Sequence, residues 1–424
     1  MVKPGYKQTK IGVIPEDWET SSLSAAFQKL EAGVSVNSDN SLSSEYHILK
    51  TSAVHDGVVD TAETKPVIPQ DYLRLKCPLV KGSIIISRMN TPALVGECGF
   101  TKDAKTGTYL PDRLWQIQNF NKSSFDFVWL NYLLNTKQYR DAVRATATGT
   151  SNSMKNISKE RMLDIEIPRP PINEQENIAA ALSEVDELIN LVEKQIDKKK
   201  AIKQGAIQEL LTGKRRLPGF SGEWRYFNLM KNSKVKARIG WQGLKKSEYL
   251  DSGYALLVTG TDFDDGRVLW DGCHYVTRSR YEQDRNIQLQ NNDILITKDG
   301  SLGKAALVQG LTKPATLNSG IFVIRPLQDA YDPVFVYQIL SSFVFKNFLD
   351  RLSAGSTIIH LYQKDVGKFE FLLPPTIAEQ KAIAEALSEM DSDIAALENK
   401  LTKYRQVKQG MMQQLLTGKI CLEK

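Results

Sequence analysis

The chain holds only four cysteines in 424 residues, Cys77, Cys98, Cys273 and Cys421, and none forms a CxxC pair. That spacing argues against a zinc knuckle and a disulfide frame, and it fits a reducing compartment. Histidine is equally sparse. His47, His55, His274 and His360 are scattered, so no metal centre is expected. No apolar run reaches the roughly 18 residues of a membrane span. The opening stretch, MVKPGYKQTKIGVIPEDWE, lacks the apolar core of a signal peptide. These absences point to a cytoplasmic protein with no membrane partner.

Catalytic signatures are missing as well. GxxxxGK[ST] does not occur; Gly300-Ser-Leu-Gly-Lys304 lacks both its spacing and the following hydroxyl residue. No GxGxxG opens a helix, and HExxH and GxSxG are absent. A Pro-Pro-aromatic tetrapeptide, which amino-methyltransferases need to hold a flipped base, is also missing. Pro170-Pro171 leads to Ile172 instead, and Pro374-Pro375 to Thr376. Asp262, Asp264 and Asp265 cluster in GTDFDDG, where an Asx-rich turn is a simpler account than a metal or acid–base site. No cofactor is expected in this chain.

What the sequence does have is repetition. Glu174–Lys214 and Glu379–Lys419 align without a gap at an offset of 205 residues, with 21 of 41 positions identical. A period near half the chain marks a tandem two-fold protein, not a short-period solenoid. Both repeats read as long helices. Ile178, Leu182, Val185, Ile189, Val192 and Ile196 follow a heptad, as do Ile383, Leu387, Met390, Ile394, Leu397 and Leu401. The seam weakens at Lys199 and Lys203 in the first helix and is interrupted at Lys408 in the second. Each helix follows a Pro-Pro pair, with capping candidates Asn173 (with Glu176) and Thr376 (with Glu379). Each fades at LLTGK, where Gly213 and Gly418 suit a C-terminal cap. Gly205 and Gly410 lie inside the helices, either as tolerated weak points or where another helix comes close. Two such helices in one chain most simply pair with each other, antiparallel.

The basic excess lies outside the repeats. Net charge is +3 over residues 1–171, −2 over 172–214, +5 over 215–373 and zero over 374–424. The two non-repeat segments also resemble each other faintly. Ile14–Trp18 is similar to Phe220–Trp224, Tyr46–Thr51 to Tyr254–Thr259, and Gly82–Arg88 to Asn292–Lys298. The last pair reads as a buried strand that ends in a basic loop. Leu114–Ile117 and Ile321–Ile324 read as further strands, and Phe125–Leu134 and Val334–Leu349 as helices. Each half is therefore a mixed α and β domain, with a shared fold and different surfaces.

The remaining chemistry is that of recognition. Arg88, Asn90 and Thr91 follow the first matched strand, and Lys298 and Ser301 the second. Thr150, Ser151, Asn152 and Lys155 precede the first Pro-Pro junction; Ser356, Thr357, His360 and Lys364 precede the second. Trp241, Lys245 and Lys246 make a basic–aromatic cluster in GWQGLKK. Short hydroxyl and amide groups reach phosphates and base edges, and Arg or Lys adds charge-assisted bonds. Plain polar loops, and a tryptophan packed on a domain edge, account for the same residues.

Taken together, the chain resembles the specificity subunit of a type I restriction–modification system. The carriers are two PP-x(2,3)-EQ-x(2)-IA-x-ALS-x-x-D starts, Pro170–Asp186 and Pro374–Asp391, and two QxLLTGK ends, Gln208–Lys214 and Gln413–Lys419. The openings Ile11–Trp18 and Leu217–Trp224 add weaker support. The resemblance implies an α+β protein with an internal pseudo-two-fold. Residues 1–171 and 215–373 would be target-recognition domains, and 172–214 and 374–424 helical spacers forming an antiparallel coiled coil. Double-stranded DNA would be read as an asymmetric bipartite site. Two adenine methyltransferase subunits would dock on the helices, and restriction/translocase subunits would join the complex. S-adenosylmethionine, ATP and Mg2+ would belong to those partners. A stand-alone DNA-binding regulator would need no partner, and a coiled-coil scaffold would have no DNA affinity. A fused restriction–methylation enzyme would carry the motifs missing here. The bases read, the spacer length and self-association of the chain are not legible.

Overall fold

The computed structural model describes residues 3–148, 154–353 and 360–422, without the side chains of Asn119, Trp241 and Ser353. The chain divides into two compact units, Met1–Glu193 with Asn399–Lys424, and Lys194–Glu398. Each unit therefore takes part of each long helix.

The first unit is built on a six-stranded sheet. Its strands are β1 (Phe27–Ala32), β2 (Val54–His55), β3 (Gly57–Val59), β4 (Ile84–Ser87), β5 (Cys98–Phe100) and β6 (Leu114–Phe120), in the order β1-β6-β4-β5-β3-β2. β5 pairs with β3 in parallel and the other neighbours are antiparallel. β4 is buried on both faces, as its run of β-branched residues requires. Ile84 and Ile86 face a core shared with α1 (Phe127–Leu134) and α2 (Lys137–Ala145), while Ile85 faces a second core with Leu49, Leu79 and Leu110. A small sheet of Thr108–Tyr109, His47–Leu49 and Thr64–Pro66 borders that second core.

The second unit repeats the plan. Its strands are β7 (Ser233–Lys236), β8 (Phe263–Asp264), β9 (Arg267–Val268), β10 (Ile294–Thr297), β11 (Ala305–Leu307) and β12 (Ile321–Pro326), in the order β7-β12-β10-β11-β9-β8. β11 pairs with β9 in parallel. Ile294 and Ile296 face one core and Leu295 the other, which is the alternation of β4. The predicted helix over Val334–Leu349 is two helices, α3 (Pro333–Leu340) and α4 (Phe343–Ser353). The break falls at Ser341–Ser342, where the Ser342 hydroxyl donates back to the Ile339 carbonyl (2.7 Å) and accepts the Val344 N–H (3.2 Å). Asp-Gly pairs make the two-residue hairpins of both units. Asp56 and Gly57 (φ 49° and 82°) link β2 to β3, and Asp265 and Gly266 (φ 41° and 73°) link β8 to β9. In the second unit this turn accounts for two aspartates of GTDFDDG. The third, Asp262, accepts from Thr259 N–H (2.7 Å) and from its hydroxyl (2.9 Å).

The long helices run Ile172–Leu210 and Ile377–Leu415, 39 residues each, or about 58 Å. In the first unit Asp186 pairs with Lys408 (2.6 Å) and Glu193 with Arg405 (2.7 Å). In the second, Lys200 pairs with Glu398 (2.7 Å), and Lys203 with Asp391. Numbers rise on one helix as they fall on the other, so the helices pair antiparallel within each unit. Ile178, Leu182, Ile189, Val192, Ile196, Ile383, Leu387 and Ile394 are buried; Val185, Met390, Leu397 and Leu401 are half-buried. Ile178 and Leu182 also belong to the first domain core, as Ile383 and Leu387 do to the second.

Paired residues of the repeat anchor the helix starts. Trp18 Nε1 donates to Glu174 (2.8 Å). Glu379, fully buried, accepts from both Arg216 (2.8 and 2.5 Å) and Trp224 (3.4 Å). Gln175 accepts the Asp126 N–H (2.9 Å), and Gln380 the Asp332 N–H (2.8 Å). Asp126 and Asp332 are themselves the N-caps of α1 and α3. Thr376 caps the second long helix by accepting the Glu379 N–H (3.2 Å). Asn173 does not cap the first, because helix already begins at Ile172. Gly213 and Gly418 (φ 70° and 67°) end the helices, with Arg215 donating to Glu209 and Ile420 to Gln414 across the turn. At Gly205 and Gly410 an added Cβ would meet open space, so both are exposed weak points rather than sites of close approach.

Candidate nucleic-acid interface

The end of β4 and the end of β10 are equivalent places in the two domains. Arg88 leaves the first and Lys298 the second. The Arg88 carbonyl accepts the Ile157 N–H (2.9 Å), and the Lys298 carbonyl accepts the Leu361 N–H (2.9 Å). Leu114 and Ile321 are paired opposite Ser87 and Thr297, so Trp115 and Phe322 occupy the same place on β6 and β12. The Arg88 guanidinium lies 5.4 Å from the Trp115 ring centroid, and Lys298 Nζ 5.5 Å from that of Phe322. A cation held over an aromatic face is pre-positioned without being neutralised. It stays available to an anion or to the acceptor edge of a base.

Around Arg88 the fold gathers Asn90, Thr91 and Lys155. Met89–Asn90 pairs antiparallel with Lys155–Asn156. Asn90 donates to the Ser87 hydroxyl (3.1 Å) and accepts the Thr91 N–H (2.8 Å), which fixes its amide. Thr91 is exposed and Lys155 half-buried. Arg88 Nε and Asn156 Oδ1 are buried atoms with no hydrogen-bond partner among the described residues. Groups left so beside a surface loop are suited to an incoming polar ligand. Asn156 was not singled out in the sequence, and only the strand pairing reveals it. Thr150, Ser151 and Asn152 lie outside the described residues.

Around Lys298 the fold gathers His360, through a bridge between Asp299 and His360. His360 Nδ1 contacts the Asp299 carboxylate, and its ring lies 4.7 Å from that of Tyr362. Lys364 Nζ sits 5.4 Å from the same Tyr362 ring centroid. Ser301 is exposed in the loop after β10. Ser356 and Thr357 lie outside the described residues. Asp299 and Tyr362 are the members that sequence reasoning passed over; their place next to Lys298 and Lys364 was the available signal.

The GWQGLKK segment is held elsewhere. Lys245 and Lys246 are exposed beside a short turn, where Glu248 accepts the Lys245 N–H (2.8 Å) and takes Arg280 through both oxygens (2.7 and 3.0 Å). The side chain of Trp241 lies outside the described residues. Beside this segment Arg238, 2% exposed, donates to the Leu317 carbonyl (2.8 Å) and the Thr316 hydroxyl (3.2 Å). Its burial lowers its pKa.

No group of three or more His, Cys, Asp or Glu that could hold a metal occurs among the described residues. No helix among them is long and apolar enough to cross a membrane.

Two like domains, each carrying a basic strand end and each followed by a long helix, narrow the choice of family. The sequence matches the family described as "Type I restriction modification DNA specificity domain" over residues 15–202 and 242–408. The chain belongs to this family. Both halves are matched, so the internal repeat is a repeat of family domains. A candidate MjaX type I restriction enzyme specificity subunit of Methanocaldococcus jannaschii is 26% identical, over 98% of this chain and 96% of that protein. The MjaVIII specificity subunit of the same organism is 24% identical, over 96% and 94%. Among solved structures, the S subunit of the M. genitalium type I system superposes with a TM-score of 0.60 at 17% identity, covering 94% of this chain and 96% of that one. The family is one of specificity subunits, so this chain supplies DNA specificity and is not itself a catalyst. As such a subunit it works in a complex with DNA and a methyltransferase.

Proposed function

We propose that the chain reads an asymmetric, two-part DNA site, with residues 1–171 reading one part and residues 215–373 the other. The observation that carries this is the matched pair Arg88 over Trp115 and Lys298 over Phe322, at the same point of the same strand order. Equal backbone frames with unequal side chains favour two half-sites of different sequence. Arg88 suits the paired acceptors of a guanine, and Lys298, a point charge, suits a phosphate or a single acceptor. Asn90, Thr91, Thr150, Ser151, Asn152 and Lys155 join the first reading surface. Ser301, Ser356, Thr357, His360 and Lys364 join the second, and Trp241, Lys245 and Lys246 form its flank.

The two long helices act as spacer and as docking surface. Because 21 of 41 repeat positions are identical, they support two equivalent places for two adenine methyltransferase subunits. Restriction/translocase subunits enter through the same cytoplasmic complex. S-adenosylmethionine, ATP and Mg2+ are read as cofactors of those partners.

The test is single-molecule sequencing for N6-methyladenine in cells expressing the neighbouring methyltransferase, with and without this chain. A two-part motif, modified only when the chain is present, supports the reading and yields the site. An active methyltransferase with no chain-dependent motif overturns it.

A further inference from the structure

The loops that follow β4 and β10 are closed by the same two backbone bonds. In the first domain Ser87 N–H donates to the Glu97 carbonyl (2.8 Å), and Gly96 N–H to the Ser87 carbonyl (2.8 Å). In the second, Thr297 N–H donates to the Lys304 carbonyl (3.0 Å), and Gly303 N–H to the Thr297 carbonyl (2.9 Å). A helix presses on both loops at the same glycine. A Cβ on Gly96 would meet Val143 of α2, and one on Gly303 would meet Leu349 of α4. Between the closing bonds lie residues 88–95 in the first domain and 298–302 in the second, eight against five. The longer loop has more backbone groups to satisfy and more freedom to lose.

Arg144 supplies the contacts that the longer loop needs. From α2 its guanidinium donates to the carbonyls of Ala93 (2.6 Å) and Val95 (3.3 Å) and to Glu97 Oε1 (2.7 Å). The Glu97 side chain is 7% exposed and takes Arg140 on the same oxygen (3.4 Å). A planar fork holds these acceptors in one fixed geometry, which the single ammonium of lysine does not impose. The braced carbonyls belong to a turn that begins at Thr91, whose own carbonyl accepts the N–H groups of Leu94 (3.0 Å) and Val95 (2.9 Å). Thr91 N–H is held in turn by the Asn90 side chain (2.8 Å). An unbroken line of contacts therefore runs from α2 to the polar residues beside Arg88.

The second domain is built without this brace. Lys304 stands at the place of Glu97 in the strand pairing and donates to the Phe263 carbonyl. Asp350 follows Leu349 as Arg144 follows Val143, and an ionised carboxylate cannot donate to a loop carbonyl. The shorter loop is fastened from inside instead. The buried Thr297 hydroxyl donates to the Ser301 carbonyl and accepts the Lys304 N–H (2.9 Å).

We infer that Arg144, seated on Glu97, is the positioning residue of the first reading loop, so that base preference in one half of the DNA site depends on it and preference in the other half does not. It acts through Thr91 and Asn90 and touches no base. The part concerning bases rests on the proposed two-part reading; the brace does not.

The experiment uses the full chain as wild type, Arg144→Met, Arg144→Lys and, at the matched place, Asp350→Ala. Each is expressed with the methyltransferase, and methylation sequencing reads base preference at every position of the site. Arg144→Met is expected to relax discrimination in one half by about tenfold, the worth of one good base contact, and to leave the other half unchanged. Arg144→Lys keeps the charge without the fork and should fall between. Asp350→Ala should leave both halves as they are. On the purified chain, hydrogen exchange at Leu94 and Val95 should speed up by about tenfold in Arg144→Met and by less in Arg144→Lys, while exchange at Gly303 stays the same. Unchanged preference in both halves, an equal loss in both, or a like loss in Asp350→Ala overturns the inference. Unchanged exchange at Leu94 and Val95 overturns it as well. If Arg144→Met does not fold, Arg144→Lys decides by the same readings. A wild-type chain with no two-part site removes the DNA reading, while the exchange rates still decide the brace.

Discussion

Gln175→Met is the sharpest test of how the long helix is fastened to its domain. Gln175 is fully buried, and its side chain satisfies three backbone groups. Its oxygen accepts the Asp126 N–H (2.9 Å), and its nitrogen donates to the carbonyls of Ser124 (2.9 Å) and Pro170 (2.8 Å). Methionine keeps the length and much of the volume, so packing changes little. It cannot replace the bonds, and three backbone groups are left dry and unpaired. At about 1 kcal/mol each, the loss is about 3 kcal/mol. For a unit of this size that is roughly 6–12 °C in melting temperature. The equivalent Gln380 serves two groups, the Asp332 N–H (2.8 Å) and the Pro374 carbonyl (3.1 Å). Gln380→Met should therefore cost about 2 kcal/mol. Calorimetry and far-UV circular dichroism on the full chain read both. The reasoning predicts a ranking as well as a size. A change below about 0.5 kcal/mol in both variants, or a larger loss at Gln380, would refute the staple.

Gly205→Ala and Gly410→Ala should each stabilise by about 1 kcal/mol, since an added Cβ meets open space at both; a lower melting temperature would mean that the helices need flexibility there. Cys421→Arg should stabilise the first unit by about 1–2 kcal/mol. Cys421 holds the repeat position of Arg216, and its thiol lies beside Glu174, whose Oε1 is a buried atom with no hydrogen bond of ordinary geometry among the described residues. An unchanged denaturation midpoint would mean that the arginine does not reach the carboxylate. Arg88→Ala should relax base preference at one position of the site, at about 1–3 kcal/mol, whereas Lys298→Ala should weaken binding more evenly and flatten the salt dependence by about one charge. Competition binding over a site library, repeated across salt concentrations, separates the two outcomes. Leu387→Asp with Ile394→Asp puts two carboxylates among buried seam positions, 0% and 8% exposed, and should abolish chain-dependent methylation; preserved methylation would sink the coiled-coil spacer.

The long helices were legible because their signals are local. A heptad, two Pro-Pro starts and two glycine ends need no knowledge of what lies opposite. The first start was misjudged at Asn173, because helix already begins one residue earlier, at Ile172. The sheets were legible only at their buried centre, where Ile84–Ile86 and Ile294–Ile296 form unbroken apolar runs. Edge strands of two or three residues, such as Val54–His55, carry too little pattern to be seen. Yet the Asp-Gly turns at 56–57 and 265–266 were a usable mark of domain equivalence. At the reading surface, Arg88 and Lys298 were found because they end matched strands. Asn156 was not, because only the pairing of distant segments brings it there; Asp299 and Tyr362 stand close to Lys298 and Lys364 in the chain and were passed over.

The distribution of identical residues between the repeats then has a physical reading. Glu174 and Glu379 each hold a tryptophan from the opening of their own domain. Gln175 and Gln380 each hold the cap of a domain helix. Asp186 and Asp391 each hold a lysine of the other helix. Three successive functions, tying the helix to its domain twice and to its partner helix once, are thus written within thirteen residues of each repeat. None of them constrains the loops after β4 and β10. Those loops are free to differ between halves, and they do: Arg-Met-Asn-Thr at 88–91 stands where Lys-Asp-Gly-Ser stands at 298–301. A frame fixed by paired polar contacts and loops left unfixed by them is the division of labour that a two-part, changeable DNA specificity requires.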